Sequence, residues 1–185
     1  ENMLKTMVRE TGSTIVHPYN DERIIAGQGT AAKELLESIP DLDVIIAPVS
    51  GGGLLSGTLL SAKSINPKLK VYGAEPKNAD DTYRSIKRKK IVPNQTTDTI
   101  ADGLRAQVGT ITFPIIQKLV DEIMLVSEEM IVQSMRMIWQ RLKIIIEPSC
   151  SIVLAALLIN NDQFYKKKVG LLLTGGNVDL DTLPW

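Results

Sequence analysis

The sequence predicts an α/β fold, an open parallel sheet with helices on both faces, and three observations carry that reading. Short strand-like segments at 43–49, 70–74, 122–126 and 169–173 alternate with stretches of helical apolar spacing. The segments at 43–49 and 169–173 are nearly continuous apolar runs, the pattern of strands covered by helices on both faces. Those same two segments run into glycine-rich turns, Ser50-Gly51-Gly52-Gly53 and Thr174-Gly175-Gly176-Asn177. Alternating strands and helices imply right-handed crossovers, with ligands at the carboxyl ends of the strands.

The elements follow in order. Residues 1–10 read as a helix with Met3, Leu4, Met7 and Val8 at helical spacing. The chain opens on Glu1 with no methionine before it, so a longer natural polypeptide is expected, with a part preceding this one. Residues 13–16 form a β-branched run that ends at His17-Pro18, where proline forces a turn. Asn20 or Asp21 caps the next helix, which carries Ile24, Ile25, Ala31, Ala32, Leu35 and Leu36 and stops before Pro40. Gly27 and Gly29 weaken its middle turns. After the strand at 43–49 and its glycine turn comes a helix over 54–65, a strand at 70–74, a helix over 80–88 and an irregular polar stretch at 93–98. A helix at 113–119 and a strand at 122–126 lead to Ser127, which caps a long amphipathic helix through Met130, Met135, Ile138 and Leu142. A brief extended piece at 144–146 precedes Pro148, placed at the first turn of another helix, before the last strand.

Composition narrows the function classes. A chain of 185 residues with 44% apolar content supports one ordinary core. Lys plus Arg equals Asp plus Glu at 21 each, so no global field attracts nucleic acid or an anionic membrane. The basic run at 87–90 sits at a helix end, where cations complement the dipole. One cysteine, Cys150, cannot form an internal disulfide, and no leader or membrane-length apolar stretch is present, so a cytoplasmic setting is expected.

Chemistry concentrates in a few places. The three glycines at 51–53 remove every Cβ that would hold a phosphate away from backbone amides, and the helix amino end adds positive potential. No Gly-Lys-Ser/Thr and no G-x-G-x-x-G pattern is present, which disfavours nucleotide hydrolysis and nicotinamide chemistry. Thr174 and Asn177 lie at the same sheet edge and offer neutral polar groups. Glu75, Asp80 and Asp81 gather at a strand end and helix start, where they suit either a hard divalent cation or helix capping. Glu147 carries the same ambiguity. The lone His17 reads as structural rather than catalytic. Cys150, near a helix start, has either a lowered pKa or, as most lone cysteines do, the role of an inert small hydrophobe.

Taken together, Ala26-Gly-Gln-Gly-Thr30, Ser50-Gly-Gly-Gly-Leu54, Glu75-Pro-Lys-Asn-Ala-Asp-Asp81, Ile100-Ala-Asp-Gly103, Glu147-Pro148 and Thr174-Gly-Gly-Asn-Val-Asp-Leu180 resemble the pyridoxal-phosphate enzymes of the serine racemase and serine/threonine dehydratase family. The resemblance implies the large cofactor-binding domain of a tryptophan-synthase-β-like fold over 13–185, with 1–12 ending a preceding small domain. It assigns the cofactor phosphate to Ser50, Gly51, Gly52, Gly53 and Leu54, other cofactor contacts to Gly103 and Glu147, and the pyridine nitrogen to Thr174. It assigns Mg²⁺ or Mn²⁺ to Glu75, the carbonyl of Ala79 and Asp81, and an ATP contact to Asn177. A neutral hydroxyl at Thr174 would leave the pyridine largely unprotonated.

The implied activity is interconversion of L- and D-serine with β-elimination to pyruvate and ammonia. Serine/threonine dehydration, and a non-catalytic module for a phosphate ligand, are the alternatives. The implied partners are a small amino-acid substrate, a second copy in a homodimer, and an amino-terminal part or companion chain. The sequence departs from the family in what it lacks. The Schiff-base lysine, the serine on the opposite substrate face and the loop that grips the substrate carboxylate belong to the region preceding this one, so no catalytic residue is expected in this chain and it should be inactive alone. Cys150 and Ser151 replace small residues usual after the Glu-Pro, and Thr174 stands where serine is more usual.

Overall fold

The computed structural model describes residues 2–185. Glu1, where the sequence reading starts the first helix, lies outside them. In chain order the elements are α1 (Asn2–Thr11), α2 (Glu22–Ser38), β1 (Val44–Pro48), α3 (Gly53–Ile65), β2 (Lys70–Pro76), α4 (Asp81–Arg88), α5 (Thr112–Leu119), β3 (Glu122–Val126), α6 (Glu128–Leu142), α7 (Pro148–Ile159) and β4 (Val169–Leu171). The strands form one four-stranded parallel sheet in the order β3-β2-β1-β4. The chain therefore builds outward from β1 to β2 and β3, then returns to the other side of β1 for β4. That reversal opens a crevice beyond the carboxyl ends of β1 and β4, where doubly wound sheets take their ligands.

Period-two alternation on β1 explains its unbroken apolar run. Ile45 and Ala47 face a core shared with Leu36 of α2, Leu55 and Leu59 of α3 and Ile116 of α5. Val44 and Ile46 face the opposite core, with Ile131 of α6 and Ile152 and Val153 of α7. Both faces are buried, so no polar side chain is tolerated along the strand. The Asp21 carboxylate caps α2 by accepting from Arg23 N–H at 2.8 Å, Ser127 caps α6, and Pro148 occupies the first turn of α7.

Two segments outside the four expected strands are irregular. Residues 13–16 are irregular and exposed, because β-branched propensity forms no strand without a partner to pair with. Residues 144–146 are an irregular connection in which only Ile146 is buried, its carbonyl accepting from the Trp139 indole N–H at 2.9 Å. The last strand stops at Leu171 rather than at 173.

Helix α2 runs unbroken through Gly27 and Gly29, and the two glycines differ. Gly29 meets Gly57 of α3 where the helices cross: a Cβ on Gly29 would stand 2.7 Å from Ser61 Oγ and 3.0 Å from the Gly57 carbonyl, and one on Gly57 would collide with Ile25 O. A Cβ on Gly27 would meet nothing within 4 Å. Gly27→Ala is therefore expected to stabilise the chain by about 0.5–1 kcal/mol, by restricting the unfolded ensemble. Gly57→Ala is expected to cost about 1–3 kcal/mol by overpacking. Urea unfolding followed by circular dichroism separates them, and equal effects would refute the assignment of the crossing.

Candidate active site

The crevice at the switch point has a volume of about 360 Å³. Its floor is the glycine turn after β1. Gly52 has φ +93°, a left-handed conformation that side chains resist, and a Cβ there would lie 2.8 Å from Thr112 Oγ1. Gly51 and Gly53 lie under Tyr19, whose ring occupies the space a Cβ on Gly51 would need. Tyr19 is fixed in turn by His17. The imidazole Nδ1 accepts the amide N–H groups of Tyr19 at 3.2 Å and Asn20 at 2.8 Å, and the two rings meet edge-to-face at 4.7 Å. The lone histidine thus holds the turn that carries Tyr19 through its Nδ1.

Helix α3 begins at Gly53 with no side chain capping its first amides. Those N–H groups have no intrahelical acceptor and point into the crevice end of the helix, where the dipole favours an anion. Ser50, Gly51, Gly52, Gly53 and Leu54 all line the cavity. Across from them stand Thr174, Glu147, Ser149 and Gly103. The structure thus brings together every residue that the sequence assigned to the cofactor.

The far wall is held by its own bonds. Ser149 Oγ accepts from Gly103 N–H at 2.9 Å, which fixes the turn at Asp102–Leu104. Glu147 N–H donates to Gly175 O at 3.0 Å, and its Oε2 accepts from Asn177 N–H at 2.9 Å. A Cβ on Gly175 would lie 2.8 Å from that carboxyl group, so the second glycine turn packs directly on Glu147. Asn177 itself is exposed and outside the residues lining the cavity. Cys150 is buried, and its sulfur accepts from Thr174 N–H at 3.2 Å. Burial pushes its thiol pKa up, against hydrogen bonds from the Gly175 and Thr174 amides that favour the thiolate. It is the inert alternative of the two.

Glu75 and Asp81 are fully buried at the carboxyl end of β2 and the start of α4. Glu75 accepts from Thr82 N–H and Tyr83 N–H, both at 2.9 Å, so it caps α4 from outside. Asp81 Oδ2 accepts from Val108 N–H at 2.8 Å, while Oδ1 is buried with no hydrogen-bond partner. Burial pushes Glu75 up to about 8 and Asp81 up to about 6. Among the described residues no group of three or more His, Cys, Asp and Glu side chains converges as a metal cluster. Two buried carboxyl groups whose charges act on each other, one with an oxygen that has no partner, offer the oxygen chemistry that a hard cation takes.

Two residues that shape this site were not singled out by the sequence reading, Thr112 and Tyr19. Thr112 Oγ1 donates to Gly51 O at 2.7 Å and accepts from Gly109 N–H at 3.0 Å. Nothing local marks either residue, since each acts on a loop distant in sequence.

A family model for pyridoxal-phosphate dependent enzymes matches residues 1–175. The chain belongs to that family. Within this pyridoxal-phosphate family it is 48% identical to the β-hydroxyaspartate dehydratase of Paracoccus denitrificans (strain Pd 1222), over 95% of this chain and 56% of that protein. It is also 48% identical to the serine racemase of Arabidopsis thaliana, over 99% of this chain and 57% of that protein. The structure of maize serine racemase matches with a TM-score of 0.94 at 44% identity, covering 98% of this chain and 57% of that one. The chain thus spans a little over half the length of these pyridoxal-phosphate relatives. Among the described residues no helix is long and apolar enough to cross a membrane.

The buried, raised-pKa thiol predicts slow chemistry. Alkylation of Cys150 at pH 8 is expected to be at least about tenfold slower in the native chain than in denaturant. Equal rates would place the sulfur at the surface.

Proposed function

We propose that this chain is the cofactor-holding portion of a pyridoxal-phosphate enzyme that racemises serine and eliminates its β-hydroxyl. The observation that carries the reading is the uncapped amino end of α3 facing Thr174 across the switch-point crevice. Bound pyridoxal phosphate supplies the electron-accepting ring that makes an amino acid's α-hydrogen removable. The chain's own residues would hold it. Amides at Gly51–Leu54 would take the phosphate, the Thr174 hydroxyl would face the ring nitrogen without protonating it, Gly103 would flank the ring, and Glu147 would brace the turn that carries Thr174.

Among the described residues no lysine lines the crevice. We propose that the lysine that links the cofactor, together with the substrate carboxylate grip, belongs to an amino-terminal part or companion chain, with α1 ending its small domain. The equal identity to a β-hydroxyaspartate dehydratase supports a second reading within the same chemistry, dehydration of a hydroxy amino acid with a second carboxylate. A homodimer, with ATP contacted through Asn177, belongs to the same proposal. Leu142, Ile144 and Ile145 are exposed, the Ile145 carbonyl against Gly176, and would offer an apolar surface for the second copy.

Pyridoxal phosphate added to the chain is expected to bind reversibly and to dialyse away. After borohydride reduction and peptide mapping, no single lysine should be trapped stoichiometrically. One lysine labelled at a full equivalent would place the nucleophile within residues 1–185 and overturn the division of labour.

The cation belongs to this proposal too, at Glu75, Asp81 and the Ala79 carbonyl. Folded-state pKa values raised for both acids mean that the unfolded chain ionises first. Stability in EDTA should therefore fall as pH rises from the ordinary carboxylate range, roughly 4–5, through the values of about 6 for Asp81 and about 8 for Glu75. Mg²⁺ or Mn²⁺ needs both groups ionised and should raise Tm at pH 8 more than at pH 5. A pH-independent Tm increment would exclude these two side chains as ligands.

A further inference from the structure

The segment 106–112 is hydrogen-bonded to Ser50 and Gly51 of the crevice floor and to Asp81 of the cation pocket at once. Ala106 exchanges two hydrogen bonds with Ser50, its N–H donating to Ser50 Oγ at 2.9 Å and its carbonyl accepting from that hydroxyl at 3.0 Å. Val108 N–H is held by Asp81 Oδ2 at 2.8 Å. The next amide, Gly109 N–H, donates to Gly51 O at 3.1 Å, and Thr112 Oγ1 donates to the same carbonyl at 2.7 Å. Ile111 N–H and the Thr110 hydroxyl are held by Asn20, the neighbour of Tyr19 in the roof.

A cation on the free Oδ1 of Asp81 would fix that carboxylate, and with it the Val108 amide, one residue from the group that anchors Gly51. Ordering of 106–112 then has to be supplied only once for two ligands. Resting on the function proposed above, we propose that the cation pocket and the phosphate cradle are energetically coupled through segment 106–112, with Asp81 and Thr112 as the positioning residues at its two ends. Each ligand tightens the other, and by thermodynamic linkage the factor is the same in both directions.

The test is reciprocal titration of the chain with Mn²⁺, followed by electron paramagnetic resonance, and with pyridoxal phosphate, followed by absorbance. Each ligand is expected to lower the other's Kd at least about fivefold. Thr112→Val should bring that factor to about one without changing Mn²⁺ affinity in the absence of cofactor, and Thr112→Ser, which keeps the hydroxyl, should restore it. The variants also separate the route from direct contact of Mn²⁺ with the cofactor phosphate, which neither variant would alter. In wild-type chain, Mg²⁺ alone should slow amide exchange at both 106–112 and 51–54. Binding of both ligands with independent affinities would overturn the coupling and leave the proposed function standing. Failure of pyridoxal phosphate to bind at all would remove both, and failure of Mn²⁺ to bind would remove the coupling alone.

Discussion

The Gly51 carbonyl is the constraint around which the crevice is built. A turn that offers its amides to a ligand must point its carbonyls the other way, into protein, where each needs a donor. Gly51 O finds two, the Gly109 amide and the Thr112 hydroxyl. Those bonds require segment 106–112 to run beside the turn. The same segment can do so only because Asp81, Ser50 and Asn20 hold its other polar groups. Removing the Thr112 hydroxyl would leave a buried acceptor short of a partner beside a glycine already at φ +93°.

That constraint sits at the point where the sheet reverses direction. Strand β1 is central because helices cover both of its faces, and β2 and β4 flank it in register. Its carboxyl end is thus rigidly placed, and the turn that follows inherits that placement. Close crossing of α2 and α3 through Gly29 and Gly57 brings the start of α2 near the turn, so Tyr19 and Asn20, just before α2, can roof it.

Much of this was legible in the sequence, for identifiable reasons. The strand at 122–126 and the helix start at Ser127 were legible because pattern and cap agree there. The first glycine turn and Thr174, which line the crevice, were legible as motifs beside strand ends, whereas Gly103 and Glu147 lie in connections away from any strand and were reached only through the resemblance. The β-branched run at 13–16 and the extended piece at 144–146 join no sheet because β-branched composition is only a preference for a pleated, paired environment, and neither has one. Gly29 looked like a defect in a helix and is a packing contact, which no single-helix argument reveals. Thr112 was invisible for the same reason: its hydroxyl bonds across 61 residues of sequence.

The three glycines of the turn illustrate how far such motifs can be trusted. Each has a reason inside the protein: Gly52 its backbone angle, and Gly51 and Gly53 the ring and backbone of Tyr19 above them. Glycine content alone would therefore be explained without any ligand. What the internal reasons leave unexplained is the polar chemistry: an uncapped helix start facing a cavity, and two fully buried carboxyl groups, one with an oxygen that no hydrogen bond reaches. Burying carboxyl groups costs stability even where they give up their charge, and a fold selected for stability alone would replace them with packed apolar groups. Arg84 favours the Asp81 carboxylate only through its charge and donates to Asp80, and Asn94 stands beside Asp81 with its Oδ1 accepting the Asp81 amide, which leaves Asp81 Oδ1 without a hydrogen-bond donor. Local features that cost stability and lack an internal compensation mark where a protein has been shaped for a ligand. Here they mark both ends of segment 106–112.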